Sequence, residues 1–537
     1  MNRYRLLFSI ILLLFFSPCL RAGEWQWSVT LDGFVSNETN RNPTAFLWIP
    51  ADCMQIKAII VGQHNMSEET LFDNPLFREK MQKLGIGFVW ITPGIDQQWD
   101  VSKGTQQIFE KMMVSLADVS GYSELKNVPI VPLGHSAMAT YPWNFAAWNP
   151  ERTLAIISLH GDAPRTNLTG YGRENLEWGR TRNIDGIPGL MIEGEYEWWE
   201  ARVNPALAFR MMYPESCISF LCDAGRGHFD VADETAAYIA LFLEKAINQR
   251  LTDEVAKDGK VKLNPVNPTK GWLAERWHPD QKKRVKAAPY SQYKGDPHDA
   301  FWYFDREIAE ATEARYTQSR GKQQQYLGFE QNGNLLTYDK KQHVRVQPRF
   351  NPEADGITFH LKAVCTDSLR TKLSDEHADA TPIISRICGP VEKVNDTTFM
   401  VSFYRMGMNN PRRTGDICLL ASQTGDRKYK SAVQEVSIRI PYRNTEGQRQ
   451  YILFPGLPDV KAESGSLPLK ATSDCGLPVS YYIKEGPAEI EGDQIVFTPI
   501  PPRSKFPVKV TVVAWQYGIA GKVQTAEPVE RNFYILK

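Results

Sequence analysis

Between residues 23 and about 250 the apolar positions fall in short unbroken runs, with segments of helical period between them. Ala58–Gly62 (AIIVG), Gly85–Ile91 (GIGFVWI), Asn127–Leu133 (NVPIVPL), Leu154–His160 (LAIISLH), Ile187–Gly194 (IPGLMIEG) and Cys217–Gly225 (CISFLCDAG) are such runs. An apolar run of about four to eight residues without polar alternation reads as a strand covered on both faces. Thr105–Ala117 and Thr235–Asn248 repeat their apolar residues at the period of a helix, and the second reads as the closing helix of the unit. Strand and helix in alternation predict a mostly parallel, doubly wound sheet. Trp25–Pro50 reads as one or two antiparallel strands ahead of it.

The pattern changes after Arg250. Asp253–Pro268 is polar and contains proline, in the manner of a connector. Gly271–Trp277 and Ala300–Phe304 offer apolar and aromatic anchors, and Asp305–Tyr316 reads as a helix. From about residue 331 the segments ITFHLKAV, TFMVSFYR, ICLLAS and VQEVSIRI alternate and are separated by turn residues, which predicts a sandwich. Phe454–Pro458 marks a further boundary, and the remaining short strands fit a small immunoglobulin-like β-domain. The expected order is a leader over 1–22, a doubly wound α/β domain over 23–250, an extension over 251–330 packed on its neighbours, a β-sandwich over 331–452 and an Ig-like domain over 453–537.

The 537 residues are too many for one core. Lys and Arg number 62, as do Asp and Glu, so net charge excludes a generic nucleic-acid or membrane-surface binder. Met1–Arg5 is basic and Leu6–Phe16 is apolar over the length of a signal peptide, too short for a membrane anchor. Export to the periplasm or beyond follows as an expectation, with cleavage after Ala22; a lipoprotein at Cys19 is disfavoured by Pro18. No later segment is long and apolar enough to span a membrane. The other seven cysteines lack CxxC spacing, which argues against zinc, and their pairing is not readable. Cys217 and Cys222 share one strand but fall on opposite faces.

The chemistry is carried by three strand ends. After the strand NVPIVPL comes Gly134-His135-Ser136-Ala137-Met138-Ala139, the turn of a nucleophile elbow, with Met138 standing where the G-x-S-x-G pattern has its last glycine. The run ending at Gly194 leads into Glu195-Tyr-Glu-Trp-Trp-Glu200, and the run after it leads into Arg226-Gly-His228-Phe-Asp230. Serine, acid and histidine thus follow in the chain order of an α/β-hydrolase triad, each at the carboxyl edge of the sheet. Ser136 is the candidate nucleophile, His228 the base and Glu197 the acid, with Glu195 as the alternative and Glu193 after it. His135 and His160 read as packing or supporting groups. The backbone N–H of Ala137 is one candidate oxyanion donor; the other is sought in the loop after Ala58–Gly62, at Gln63, His64 or the Asn65 amide. Ser67 also reads as a helix cap there, with Glu69 and Glu79 on the helix surface.

The QHNM loop, the GHSAMA elbow, the EGEYEWWE acid loop and the GRGHFD histidine loop resemble those of secreted α/β-hydrolase esterases of polysaccharide-degrading bacteria. The tail, with ATSDCGLPVSYYIKEGPAEIEG, is similar to Ig-like modules attached to such enzymes. The resemblance implies a carbohydrate esterase that uses no metal or organic cofactor; such enzymes include pectin methylesterases and deacetylases. The partner expected is a plant polysaccharide, with no nucleic acid and no membrane. Arg165, Arg173, Arg180 and Arg182, with Arg202 and Arg226 beside the acid and histidine loops, suit the carboxylates of an acidic glycan. Trp198 and Trp199, with Trp99, Trp143 and Trp178, are candidates for stacking on sugar rings, although charge runs are often solvated faces and tryptophans often core. Acetyl esters, and glycan binding without catalysis, are the competing readings.

Overall fold

The computed structural model describes residues 25–166, 174–197, 200–279, 281–408 and 410–537. The leader expected over 1–22, Arg173, Trp198 and Trp199 lie outside them. The first unit is an eight-stranded sheet in the order β1-β2-β4-β3-β5-β6-β7-β8. These strands are β1 (Trp27–Thr30), β2 (Thr44–Trp48), β3 (Ala58–Gln63), β4 (Ile86–Thr92), β5 (Ile130–His135), β6 (Ile156–Leu159), β7 (Pro188–Gly194) and β8 (Cys217–Asp223). β1–β2 and β2–β4 are antiparallel and every other pair is parallel. That order, with its reversal at β3 and β4, is the α/β-hydrolase fold.

The apolar runs are unbroken because each strand feeds two cores. Ile60, Phe88 and Trp90 face one core, and Ile59, Val61, Val89 and Ile91 face the other. Helix α1 (Ser67–Asp73) leads into α2 (Pro75–Leu84), and α3 (Thr105–Ser120) covers the opposite face through Phe109, Met112 and Leu116. The start of α2 is set locally. Pro75 opens it, and the Asn74 side chain accepts from the Phe77 N–H at 2.9 Å. α4 (Tyr141–Trp148), α5 (Glu200–Met212) and α6 (Asp233–Arg250) complete the unit.

The extension adds to this core. The strand Ala300–Tyr303 lies against β8: the Ser219 hydroxyl donates to the Trp302 carbonyl at 2.5 Å, and the Tyr303 hydroxyl donates to the Phe220 carbonyl at 2.6 Å. Trp277, Phe301, Trp302 and Tyr316 belong to the same buried cluster as the hydrolase strands. Helix α7 (Arg306–Thr317) follows, and its Arg315 is ion-paired with Asp223 at the end of β8.

The sandwich takes its first strand at Tyr326–Gln331, which pairs with Lys362–Thr366, so its backbone begins a few residues before position 331. The segment ITFHLKAV is two strands, Thr358–His360 and Lys362–Thr366, in different sheets. Ala432–Arg439 alternates strictly between buried and accessible positions, the signature of a strand with one face on a core. In TFMVSFYR only Thr398–Val401 is strand; Tyr404 and Arg405 reach the hydrolase, where the Tyr404 hydroxyl donates to Glu69 at 2.9 Å and Arg405 pairs with Asp73 at 3.1 Å. Glu69 is therefore buried under the sandwich and bonded to Arg386. Ser67 opens α1 without capping it, and Glu79 is exposed beside Lys83.

The last unit holds a four-stranded, a three-stranded and a two-stranded sheet around Val510, Val512, Phe533 and Ile535; its pairs are antiparallel except Val460–Lys461, which runs parallel to Val529–Leu536. Its Arg503 pairs with Glu124 of the hydrolase at 2.9 Å, and its Trp515 and Tyr517 enter the sandwich core. No described helix is long and apolar enough to cross a membrane.

Candidate active site

β5 ends at His135, and Ser136 takes the left-handed backbone (φ 51°) before a short 3-10 turn, Ser136–Met138. The turn is tight enough that Gly134 must lack a side chain: a Cβ there would lie 2.0 Å from the Met138 carbonyl oxygen. The departure from G-x-S-x-G has a physical reason. Close approach falls one residue later, between Ala139 and Gly161, where a Cβ on Gly161 would lie 1.9 Å from that of Ala139. The Met138 side chain is housed beside Gly94, which offers no Cβ in its path.

Ser136 Oγ lies 2.8 Å from His228 Nε2, and His228 Nδ1 is hydrogen-bonded to Glu197 Oε2. Glu197 closes a 3-10 turn, Glu195–Glu197, that continues β7, and its Oε1 accepts the Gly194 N–H at 2.8 Å. His228 hangs from the loop after β8. The three expected residues therefore meet, although each comes from a different strand end. Glu195 is turned away: it accepts the Gly225 N–H at 2.9 Å and pairs with Lys430 of the sandwich at 2.8 Å. Glu193 is fully buried with Arg202 at 3.7 Å.

Glu197 serves two histidines. His160, after β6 and also left-handed (φ 50°), bonds Oε1 through Nδ1. Burial alone would raise the Glu197 pKa, but His160 and His228 hold it well below the usual carboxylate range. Burial opposes charge on His160, yet the Glu197 carboxylate outweighs it and raises that pKa above 6.5. On His228 burial wins over Glu197, and the pKa falls below 6.5. The ligand atoms of His160, Glu197 and His228 lie within 4.8 Å of one another, a spacing their mutual hydrogen bonds account for.

Further groups fix the elbow from below. His135 is buried and held neutral, first by burial and then by the neighbouring histidines. It donates Nε2–H to the His228 carbonyl at 2.8 Å and accepts from the Asn65 amide at 3.2 Å, the tautomer being set by those partners. Asn65 also donates to the His135 carbonyl at 2.9 Å. Glu68, absent from the sequence reading, accepts the His135 N–H at 2.6 Å, and burial pushes its pKa up to about 7. No local motif marks it, because its partner lies 67 residues away in sequence.

The candidate oxyanion groups divide. Ala137 opens the turn after Ser136, where backbone N–H groups have no preceding helical carbonyl. The His64 N–H is engaged by the Ile91 carbonyl at 2.8 Å, so it does not serve. The Gln63 side chain accepts from Ile95 and Asp96 and donates to the Asp96 carbonyl, which ties down the loop after β4. The Asn65 amide is engaged on His135. The His64 ring meets Thr92 Oγ1 through Nδ1 at 3.3 Å and lines a cavity with Asn65, Met66 and Phe229.

The expected substrate groups are corrected in part. Arg202 is buried under the site: it donates to the His160 carbonyl at 2.9 Å and lies 3.7 Å from Glu197 and 3.9 Å from Asp162, so it cannot meet a glycan. Arg226 is half-buried at the rim, 3.5 Å from Glu234. Arg165 donates to the Tyr213 hydroxyl at 2.5 Å, and Arg182 lies over the Trp148 ring at 4.6 Å. Arg180 is exposed. Trp99, Trp143 and Trp178 are fully buried core rather than stacking platforms. Two groups beside the site come instead from the sandwich. His343 places its ring 5.4 Å from that of His228, and Arg413 donates to the Asn65 carbonyl at 3.0 Å.

No family model matches the chain, and no curated protein does. Among solved structures it is similar to Est1E from Butyrivibrio proteoclasticus (17% identity, 42% of this chain and 100% of that one, TM-score 0.28). It is also similar to LpqC, a poly(3-hydroxybutyrate) depolymerase from Bordetella parapertussis (13%, 41% and 88%, TM-score 0.29). A third is the enterobactin esterase FES from Shigella flexneri (13%, 42% and 59%, TM-score 0.31). Similarity at this level carries no argument about activity; the fold rests on the strand order and the chemistry on the site.

Proposed function

We propose that the chain is an exported serine esterase acting on ester groups of plant cell-wall polysaccharide, with the methyl ester of galacturonate as favoured substrate. One observation carries the serine-esterase reading: a serine on a left-handed elbow, a histidine 2.8 Å from it and a buried carboxylate bonded to the far side of that histidine. His228, neutral at pH 7, accepts the proton as Ser136 Oγ attacks the ester carbonyl. The carbonyl π electrons move to oxygen, and the Ala137 N–H meets the resulting oxyanion. Collapse of the tetrahedral intermediate expels the alcohol, which takes its proton from His228. Water then repeats the sequence on the acyl-enzyme, releasing the acid and restoring Ser136. Glu197 stays ionised throughout and stabilises the imidazolium.

The test is release of methanol and of acetate from pectin, rhamnogalacturonan and acetylated xylan by the wild type and Ser136→Ala. Serine-dependent methanol from pectin is the expected result. Serine-dependent acetate alone would make the chain a deacetylase. If neither product appears and a small aryl ester is also untouched, the esterase reading fails.

A further inference from the structure

The cavity beside the catalytic histidine does not end at the hydrolase. A half-open cavity of about 210 Å³ lies between His64, Asn65 and Phe229 on one side and His343, Arg413 and Asp416 of the sandwich on the other. His343, Val344, Asp416 and Ser437 also line a second cleft of about 730 Å³ that runs on over the sandwich, past Arg349 and Arg439. The two adjoin at these four residues and together are called the trough. Its hydrolase end lies at Phe229, next to His228, with the His343 ring 5.0 Å from the Phe229 ring. Its far end lies within the size range of sites for compact organic ligands, about 300–1,000 Å³.

The charge of this trough is one-sided. Arg349, Arg413 and Arg439 face it, against Asp416, and Asp416 is already bonded to Arg439. Arg413 is offset by Glu38 at 3.1 Å. Arg349 is exposed, and among the described residues no carboxylate pairs with it. Arg345, two residues past His343, is exposed beside the trough rather than in its lining; it donates to the Tyr338 hydroxyl at 2.9 Å and lies near the Glu435 carboxylate. Three guanidinium groups against one carboxylate in the lining, with Arg349 left unpaired, suit a ligand that carries carboxylates. A neutral glycan would leave Arg349 without a carboxylate partner.

We propose that this trough binds a run of free uronate carboxylates on the same glycan chain whose ester is presented to Ser136. The sandwich is then the substrate track of the enzyme, and Arg349 in its lining, with Arg345 beside it, sets its preference for an acidic polymer. The proposal rests on the esterase reading for its link to Ser136, but not for the binding itself.

The experiment uses the full chain. Ser136→Ala, with and without Arg349→Glu or Arg345→Glu, is titrated with fully de-esterified polygalacturonate and with neutral galactan, at low and high salt. In parallel, the active enzyme carrying the same arginine substitutions is assayed on partly methylated pectin and on a small aryl ester. We expect polygalacturonate binding that salt weakens and that Arg349→Glu lowers by about tenfold or more. KM on pectin should rise by a similar factor, kcat on the aryl ester should stay unchanged, and Arg349→Lys should restore part of the affinity. Polygalacturonate binding that ignores Arg349→Glu and Arg345→Glu, or galactan bound as tightly, overturns the track. Loss of serine-dependent aryl ester hydrolysis would sink the esterase reading and leave the binding result to be judged alone.

Discussion

Replacing His160 tests how the triad acid is tuned. His160→Phe keeps the ring and its buried volume but removes the N–H that Glu197 Oε1 accepts. Glu197 would keep the Gly194 N–H at 2.8 Å and Arg202 at 3.7 Å, so the carboxylate stays in place. A hydrogen bond to a charged group is worth about 1.5–3 kcal/mol. If the lower figure passed wholly to the bond with His228, the imidazolium would gain about one pKa unit. The His160 ring also opposes charge on His228 directly, so both effects push the same way. The wild-type profile of kcat/KM on an aryl ester should lose activity below pH 6.5, because burial lowers the His228 pKa. In His160→Phe this acid limb should move to higher pH by about half to one unit. Stability gives an independent readout. The folded pKa of His160 is raised, so the stability it adds is fully present below its unfolded value of about 6.5 and is lost as pH rises through the folded value. The difference in unfolding free energy between wild type and His160→Phe should therefore shrink from pH 6 to pH 9. An acid limb that stays where it is, with the denaturation midpoint alone falling, would show that His160 only fills space.

Gly134→Ala should cut activity by two orders of magnitude or more and lower the melting point, since its Cβ would meet the Met138 carbonyl at 2.0 Å; a fully active variant would mean the elbow is looser than described. Ser136→Ala should abolish ester hydrolysis with the melting point nearly unchanged. Lys430→Met leaves the buried Glu195 carboxylate without its ion partner at a cost of about 3–5 kcal/mol, and Glu195→Gln with Lys430→Met should recover much of that in chemical denaturation. No recovery in the double variant would mean the two side chains are not coupled. Truncation after Gln249 removes Trp277, Phe301 and Trp302 from the hydrolase core and should give insoluble protein; a soluble and fully active fragment would contradict that packing.

The three strand ends were legible because strands buried on both faces leave no ambiguity about where they stop. Ser136, Glu197 and His228 follow three such stops. The choice between Glu195 and Glu197 was not settled by local pattern, since both sit within one turn of Gly194. It is settled by Lys430, which lies 235 residues further on and draws Glu195 to the domain boundary. The same distance hid the arginines that face the substrate side. Arg202 was read by its nearness to the acid loop, but α5 carries it beneath the sheet edge, where three carboxylates surround it. Trp99, Trp143 and Trp178 lie in the core; an aromatic near a strand end has the same sequence appearance there as on a platform. Met138 in the elbow is explained by Gly94 and Gly161, two glycines outside any motif.

The turn Glu195–Glu197 has a double attachment. Its first residue is ion-paired with Lys430, its second donates its hydroxyl to the Ser431 carbonyl, and its third holds His228. Three consecutive side chains thus connect a strap of the sandwich to the hydrogen-bond chain of the triad. The sandwich supplies no atom of that chain, yet it anchors the hinge from which the acid hangs. The position of the acid is thereby referenced to the sandwich as well as to β7, so the neighbour proposed to hold the polymer also helps to fix where Glu197 meets His228.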